Sequence, residues 1–378
     1  MTQGGPRDRT RPKVVVAGLG DTGLLTAIHL AKRADVVGIS SKPGLVSGQE
    51  LGVRLTRPSD WARDYWISFD RYRKLDGVRT VHGSILGADL DGRTVTVAGP
   101  DGGETTESYD ALVIATGVTN GFWRKPELQS EAEVEGALTS AHDRLASSST
   151  VVVLGGGAAA VSSALNVART WPDKKVHLYF PGERALPQHH HRVWTTLAGR
   201  LDDLGVEVHP GHRAVIPDGF ACDEITAGPV AWSTGQDPVD ADAVLWTIGR
   251  VRPNTGWLPA DVLDEHGFVA VDEHLRVTGR NDVFAIGDVA ATDPLRNSAR
   301  SRADGLLADN VIAALRGGAL KTFQPAKRRW GSVVGVQPNG LEVFAPTGKG
   351  YRFPAWTINT VLQPWIVRRG IYGGVRKG

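Results

Sequence analysis

Residues 13–23 read KVVVAGLGDTG, and the fold prediction starts from this segment. Its run of valines predicts a buried strand, and the glycines that follow have the spacing GxGxxG at the start of a helical pattern. Gly18 permits a tight turn, Gly20 leaves room for phosphates beside the backbone, and Gly23 lets helix and strand pack closely. The helix start offers free N–H groups and a positive dipole end, so the turn predicts a site for a dinucleotide pyrophosphate.

The second strand of this unit, residues 35–39, lacks the acid that normally follows it. Such a carboxylate holds the adenosine ribose in dinucleotide-binding folds. Here the position falls on Ser40 or Ser41. A serine hydroxyl can bond a ribose hydroxyl, although more weakly than a charged acceptor does.

A second unit of the same kind begins at residues 151–160, which read VVVLGGGAAA, and continues into a strand at residues 176–180. Ala160 stands where the third glycine would be, which the motif tolerates. No acid follows the second strand. Instead Arg184 could pair with the 2′-phosphate of NADPH, or it could be a solvated surface residue. The choice between NADH and NADPH therefore stays open, with a slight preference for NADPH.

Two such units in one chain predict an α/β protein with two Rossmann-like, doubly wound dinucleotide-binding domains. We expect residues 13–120 and 268–325 to form the first of these domains, and residues 121–267 to form the second. Residues 1–12 are expected to be a disordered arm, and residues 326–378 a separate C-terminal segment.

The composition narrows the function. The chain has 378 residues, of which 41% are hydrophobic and 22% charged, as in an ordinary globular protein. Its single cysteine, Cys222, excludes an internal disulfide, a thiolate metal cluster and the redox cysteine pair of enzymes that reduce disulfides. The sequence contains no run of about 18 apolar residues, so no membrane-spanning helix is expected. We expect a cytoplasmic protein, and no motif indicates binding of nucleic acid.

Further segments occur in a characteristic order along the chain. They are ATG at 115–117, LGVEV at 204–208, WTIGR at 246–250, RPN at 252–254 and VFAIGD at 283–288. Together with the glycine turns, they make the chain resemble the two-dinucleotide-binding flavin oxidoreductases. Within that family it is most similar to the apoptosis-inducing-factor-like quinone reductases and the related type II NADH dehydrogenases.

The resemblance implies FAD in the first glycine turn and NADH or NADPH in the second. Asp288 would hold the ribityl and pyrophosphate region of FAD, and Ile85 would lie against the adenine. Arg54 would lie near the flavin or its phosphates, or be an ordinary residue of the fold. The residues expected to contact FAD are Gly18, Gly20, Asp21, Thr22, Gly23, Ser40, Arg54, Ile85, Thr116, Gly117, Gly287 and Asp288. Those expected to contact NAD(P)H are Gly155, Gly157, Ala158, Ala159, Arg184 and Gly249.

One position departs from the quinone-reducing relatives. In them an acid stands two residues after the second glycine turn, near flavin and nicotinamide, whereas this chain has Ser162. A serine cannot supply that negative charge. The resemblance therefore implies a quinone-like electron acceptor but leaves others, including dioxygen, open.

The expected activity is FAD-dependent oxidation of NAD(P)H, with hydride passing to the flavin and on to a quinone-like acceptor. No catalytic acid or base is predicted, because the flavin does the chemistry while the protein positions it and excludes water. The alternatives are a reductase of a small iron–sulfur protein, a non-enzymatic dinucleotide-binding sensor, and a specialised-metabolism enzyme acting on a quinonoid intermediate.

The C-terminal segment is basic and aromatic. Residues 326–378 hold nine of the 43 Lys and Arg residues but only one acid, Glu342, which favours contact with an anionic surface. Apolar residues at helix spacing run from Ile358 to Trp365, and Pro364 is expected to kink or break this helix. Such a stripe beside arginines can lie in a lipid interface at the inner face of a membrane, cover the flavin domain or form a homodimer contact.

Residues 189–191 are three consecutive histidines. Adjacent side chains on a regular element diverge, so they rarely share one metal ion. No metal site is predicted from the sequence.

Overall fold

The computed structural model describes residues 11–47, 51–119, 121, 125–248, 251–293, 303–325 and 330–377. Most of the predicted N-terminal arm and the predicted nucleotide contact Gly249 lie outside the described residues.

The described elements include both predicted strand–turn–helix–strand units, which are β1-α1-β2 and β11-α5-β12 in the numbering that follows. The strands are β1 (Lys13–Ala17), β2 (Asp35–Ser40), β3 (Gly44–Val46), β4 (Trp66–Ser68), β5 (Val78–His82), β6 (Ser84–Asp89), β7 (Thr94–Ala98), β8 (Glu104–Ser108), β9 (Ala111–Ile114), β10 (Val118–Thr119), β11 (Thr150–Leu154), β12 (Lys175–Phe180), β13 (Glu207–Pro210), β14 (Ala243–Trp246), β15 (Arg252–Pro253), β16 (Val283–Ala285), β17 (Val336–Gln337), β18 (Gly340–Phe344) and β19 (Gly350–Phe353). The helices are α1 (Asp21–Leu30), α2 (Leu51–Thr56), α3 (Pro58–Tyr65), α4 (Glu131–Ala146), α5 (Ala158–Thr170), α6 (His191–Asp203), α7 (Ala303–Leu315), α8 (Ala355–Thr357) and a π-helix at Ile358–Ile371.

Two parallel sheets form the framework. The first has the order β16-β9-β1-β2-β5, and the second has the order β13-β12-β11-β14. The central strands β1 and β11 are valine-rich and buried because helices or loops cover both faces of each sheet. The predicted fold class, with Rossmann-like units, is confirmed. We call the first sheet and its packed elements the first lobe, and the second sheet with its packed elements the second lobe.

The chain passes between the lobes through a short pair of strands, β10 and β15, which run antiparallel to each other. Hydrogen bonds between Thr116 and Asn254 stabilise this crossover. The Thr116 hydroxyl donates to the Asn254 carbonyl oxygen at 2.8 Å, and the Asn254 side-chain amide donates to the Thr116 carbonyl oxygen at 3.0 Å. Two segments that the sequence resemblance singled out thus meet where the lobes join.

A second contact between the lobes brings α2 against α5 at small residues. A Cβ atom on Gly52 would collide with the carbonyl oxygen of Ser162 and lie 2.6 Å from its hydroxyl oxygen. Ser162 itself is buried. An acid at this position would therefore be forced into the helix contact, which gives a packing reason for the serine.

The C-terminal segment packs on both lobes. Val334 and Phe344 are buried in the core of the second lobe. The Tyr372 ring contacts that of Tyr72 edge-on in the first lobe, at 5.2 Å between centroids. Arg376 pairs with Asp76 at 2.6 Å. Part of the segment therefore completes the fold of its own chain.

Of the two expected effects of Pro364, a kink or a break, the break does not occur, because the π-helix at Ile358–Ile371 continues through the proline. A proline in an α-helix clashes with the carbonyl four residues earlier. A π-helix instead bonds five residues back, as between the Tyr372 N–H and the Val367 carbonyl oxygen, so the turn is wider at the ring.

A pair of glycine-to-alanine substitutions tests the close helix contact. Gly52→Ala places its Cβ against the backbone of α5, so we expect a loss of about 1–3 kcal/mol in stability. Gly136→Ala is the matched control, since a Cβ at this exposed position in α4 meets nothing within 4 Å. It should gain about 0.5–1 kcal/mol from helix propensity. Calorimetry should show a lower Tm for the first variant only; equal Tm values would contradict the packing argument.

Candidate functional site

The main cavity lies at the carboxyl ends of the first sheet, where parallel α/β folds place their ligands. Its volume is about 750 Å³, which is within the range for cofactor sites. The loops after β1, β2, β9 and β16 open into it, together with residues 253–257 from the crossover. The cavity is thus built by the strand ends that the fold brings together.

The first glycine turn forms one wall of this cavity. Gly18 has φ +103°, and a Cβ there would lie 2.5 Å from the Ala115 carbonyl oxygen. Gly20 is the N-cap of α1, and a Cβ on it would meet nothing within 4 Å. The space beside Gly20 is therefore open to a ligand, while the backbone at Gly18 has no room for a side chain.

The structure gathers the predicted FAD contacts around the cavity, with one exception. Gly23 lies behind the wall, where a Cβ would collide with the Gly18 carbonyl oxygen, so its role is helix packing. The predicted residues that line the cavity are Gly18, Gly20, Asp21, Thr22, Ser40, Arg54, Ile85, Thr116, Gly117, Gly287 and Asp288.

Arg54 and Ser40 each have a neighbour that fixes their position. The Arg54 guanidinium lies over the ring of buried Trp61, 4.8 Å from its centroid, which suits a cation–π contact. Ser40 Oγ accepts the backbone N–H of Lys42 at 3.2 Å. Ser40 therefore turns the chain at the end of β2, where a ribose-binding acid would otherwise stand.

Lys42 is a cavity residue that the sequence reasoning missed. Its ammonium donates to the carbonyl oxygens of Glu127 and of Lys125, at 3.1 Å for the latter, and to Ser41 Oγ at 3.3 Å. Burial, set against the nearby Glu127 carboxylate and reinforced by the Arg54 charge, lowers the pKa of Lys42 to about 8. The available signal was a lysine two positions beyond the strand end. Lys42 holds the cavity rim, which we define as residues 125–129.

The second glycine turn has the same geometry as the first. Gly155 has φ +134°, and a Cβ there would lie 2.5 Å from Thr247 Oγ1. Its N–H donates to the Tyr179 carbonyl oxygen at 2.9 Å, as the Gly18 N–H does to Ile39 at 2.9 Å. Gly157 is the N-cap of α5, whose first turn includes the predicted contacts Ala158 and Ala159. The second lobe thus repeats the arrangement of strand, glycine turn and helix start seen in the first.

The loop after β12 lies against this second turn. The Leu186 N–H donates to the Gly156 carbonyl oxygen at 2.7 Å. The Arg184 guanidinium donates to the carbonyl oxygens of Leu186 and His189, both at 3.3 Å, and of Pro187 at 3.1 Å. Arg184 therefore holds its own loop in shape in this structure.

Two other sequence features lie away from the cavity. Cys222 is buried in the core of the second lobe, and burial raises the pKa of its thiol. It is not among the described residues that line the cavity. His190 is the N-cap of α6, and its ring accepts the backbone N–H of Arg192. Among the described residues, the histidines at 189–191 do not form a group of three side chains that could hold one metal ion.

Two glycine turns at helix starts, one on each parallel sheet, are typical of α/β proteins with two dinucleotide-binding folds. The family model for pyridine nucleotide-disulphide oxidoreductases matches residues 12–305, and the chain belongs to this family. The predicted resemblance and the predicted flavin and NAD(P)H cofactors are confirmed at the level of the family.

Individual relatives agree with this membership. The chain is 28% identical over 341 residues to oxidoreductase ptaL of Pestalotiopsis fici, covering 87% of this chain and 84% of the relative. It is 23% identical over 328 residues to apoptosis-inducing factor homolog B of Dictyostelium discoideum, covering 82% of each. The solved structure of reduced CoADR-RHD from Bacillus anthracis matches with TM-score 0.66 and 16% identity, covering 85% of this chain and 60% of that chain.

Replacing Lys42 with methionine should loosen the rim, because its two hydrogen bonds to the carbonyl oxygens of Lys125 and Glu127 are lost. At about 0.5–1.5 kcal/mol per bond, the amides of residues 125–129 should exchange hydrogen about 10-fold faster or more. In the wild type, the lysine loses one of its three donors above its pKa of about 8. Rim opening, corrected for intrinsic exchange, should therefore increase as the pH rises through 8.

Hydrogen-exchange mass spectrometry on Lys42→Met and on Lys32→Met, an exposed control, measures this effect. If both variants exchange at the wild-type rate in residues 125–129, Lys42 does not hold the rim.

Proposed function

We propose that the protein is an FAD-dependent NAD(P)H oxidoreductase that delivers electrons to a quinone-like acceptor. The observation that carries this proposal is the pair of matching glycine turns at Gly18 and Gly155. They lie in two lobes that are joined by the Thr116–Asn254 crossover.

The first cavity suits FAD. The open space at Gly20 can take the pyrophosphate, and the first turn of α1 supplies N–H groups toward it. Asp288 follows the positive-φ Gly287 and lines the cavity, where it would accept hydrogen bonds from ribityl hydroxyls. When bound, FAD accepts a hydride from a reduced nicotinamide and passes the electrons on. The residues position the cofactor and exclude water.

The second turn suits the diphosphate of NADH or NADPH. Gly157 leaves open space, since a Cβ on it would meet no atom within 4 Å, and the start of α5 supplies donors. Arg184 can pair with a 2′-phosphate only by giving up some of its carbonyl contacts in the loop. We therefore expect the protein to prefer NADPH over NADH only modestly.

A quinone-like acceptor fits the chemistry of the first cavity better than a disulfide does. The only cysteine of the chain is buried outside the cavity, so no thiol stands ready to relay electrons. Ser162 packs against Gly52 and supplies no charge. An acceptor that takes electrons directly from the flavin satisfies both observations, and dioxygen is the competing acceptor to test.

The outer surface of α8, which contains Trp356, and of the π-helix that follows it supports peripheral contact with an anionic membrane. Trp356 is 66% exposed, Trp365 58% and Ile366 51%. The Arg369 guanidinium lies 4.9 Å from the Trp365 ring centroid. Aromatic residues beside an arginine are typical of helices that lie in a lipid interface. Within the described residues, no helix is long and apolar enough to cross a membrane.

The alternative of an iron–sulfur protein partner has less support. Arg368 and Arg376 are already paired with Asp64 and Asp76 of the same chain, at 3.1 and 2.6 Å. These two charges are thus partly neutralised and contribute less to docking an acidic protein.

Gly20→Val and Gly157→Val separate the two nucleotide sites. Neither new side chain clashes with the fold at Cβ, but each fills a proposed phosphate space. The purified Gly20 variant should lose bound flavin absorbance. The Gly157 variant should keep flavin, while its apparent Kd for NADH and NADPH in anaerobic stopped-flow reduction should rise at least 10-fold. Gly136→Ala serves as the control. Full flavin content and unchanged nucleotide affinity in both variants would contradict the assignment.

The acceptor is identified by reoxidising the reduced wild-type flavin with ubiquinone and menaquinone analogues, dioxygen, ferredoxin and rubredoxin. Quinones should react fastest. A protein that binds flavin but is never bleached by NADH or NADPH would instead be a sensor.

Trp356→Ser combined with Trp365→Ser tests the membrane contact. Removing two exposed aromatic side chains, each worth about 1.5–3 kcal/mol when buried, should reduce binding to phosphatidylglycerol vesicles at least 10-fold. Trp330→Ser is the control, since Trp330 is also exposed but lies outside the helix. Cosedimentation measures the effect. Equal partitioning of the wild type and the double variant would argue against the lipid contact.

A further inference from the structure

Three potential metal ligands converge on the second lobe, far along the chain from the three consecutive histidines. They are His177 on β12, and Glu207 and His209 on β13. In the parallel pairing of these strands, His177 lies opposite Glu207, and Tyr179 lies opposite His209. Since alternate residues of a strand share a face, all three ligand side chains leave the sheet on the same side.

The distances between their donor atoms match a tetrahedral site. His177 Nδ1 lies 3.3 Å from His209 Nε2 and 3.3 Å from Glu207 Oε2, and His209 Nε2 lies 3.6 Å from the same carboxylate oxygen. Zinc bonds of about 2.0–2.1 Å in a tetrahedron separate neighbouring ligand atoms by about 3.3–3.4 Å. An ion therefore fits between the three atoms with little movement of the side chains.

We propose that His177, Glu207 and His209 bind one divalent transition-metal ion of the Zn²⁺ type, with water as the fourth ligand. Two imidazoles and a carboxylate are ligands that suit zinc, whereas magnesium and calcium prefer oxygen alone. The site is independent of the proposed flavin chemistry, because none of its ligands lines the main cavity.

Aromatic side chains pack against the proposed ligands and restrain them without an ion. Tyr179 stacks on His209 with 4.2 Å between ring centroids and 9° between planes, and Trp232 stacks on Tyr179 at 4.5 Å. The His177 side chain is only 16% exposed, whereas that of Glu207 is 63% exposed. The imidazoles are therefore preorganised, and the carboxylate side gives the ion a path from solvent.

A bound ion would tie the edge strand β13 to β12 near the second glycine turn. Beyond His209, the Gly211 N–H donates to the Gly182 carbonyl oxygen at 3.2 Å, and the His212 N–H donates to that of Phe180 at 3.0 Å. The strand that holds the ion thus continues directly into contacts with the Arg184 loop. We expect metal binding to stabilise this edge of the second lobe.

The test uses full-length protein stripped of metal with a chelator and titrated with ZnCl₂ by calorimetry. We expect one Zn²⁺ per chain with a Kd at or below about 10 µM, and a Tm raised by Zn²⁺ because the ion binds only the folded state. Co²⁺ in place of Zn²⁺ should give the visible absorption bands of tetrahedral coordination. Glu207→Gln and His177→Asn should each weaken Zn²⁺ binding at least 10-fold.

His266→Asn, an exposed histidine elsewhere, is the matched control and should bind as the wild type does. Glu207→Gln changes an exposed side chain, so its fold should be intact, which the flavin content and metal-free Tm check. The proposal is overturned if the wild type takes up no Zn²⁺ at 1 mM, or if both ligand variants bind it as tightly as the wild type. If the wild type takes up no Zn²⁺, the contact between His177 and His209 is a hydrogen bond and not part of a metal site.

Discussion

The close approach of backbone to backbone at Gly18 is the constraint on which the rest of the first lobe depends. The turn after β1 passes so near Ala115 that a Cβ on Gly18 would lie 2.5 Å from its carbonyl oxygen, with φ at +103°. Only glycine takes this conformation without strain. Because the turn is tight, α1 starts directly above the strand end and presents its first N–H groups to the cavity. Gly155 repeats this constraint against Thr247 in the second lobe.

The segment that crowds Gly18 also joins the two lobes. Ala115 is followed by Thr116, which exchanges hydrogen bonds with Asn254 on the returning crossover. Ala115 and Thr116 thus line the first cavity, and Thr116 also bonds the segment that returns from the second lobe. A glycine turn and a lobe junction that share residues would keep the two proposed nucleotide sites in a constant relation, which the proposed hydride transfer requires.

Helix packing across the same junction bears on the choice of acceptor. Gly52 and Ser162 let α2 lie directly on α5, and Asn166 of α5 also donates to the Val334 carbonyl oxygen of the C-terminal segment at 3.1 Å. A carboxylate at position 162 would be buried in this contact at a high desolvation cost. A neutral serine at this position therefore suits the close contact between α2 and α5, and the proposed electron acceptor would have to be recognised by other groups.

The two strand–turn–helix units, the parallel sheets and a set of residues that line the first cavity could all be predicted from the sequence. These follow from local rules: apolar runs, glycine spacing and helix periodicity act over a few residues. The tertiary structure alone decided the rest. Lys42 reaches rim carbonyls more than eighty positions away, and His177 meets His209 only through the register of β12 and β13. The helix at Ile358–Ile371 contains Pro364 and is a π-helix, a form that the sequence rules for α-helices do not predict. Such contacts depend on which segments the folded chain brings side by side, and no short pattern in the sequence records that.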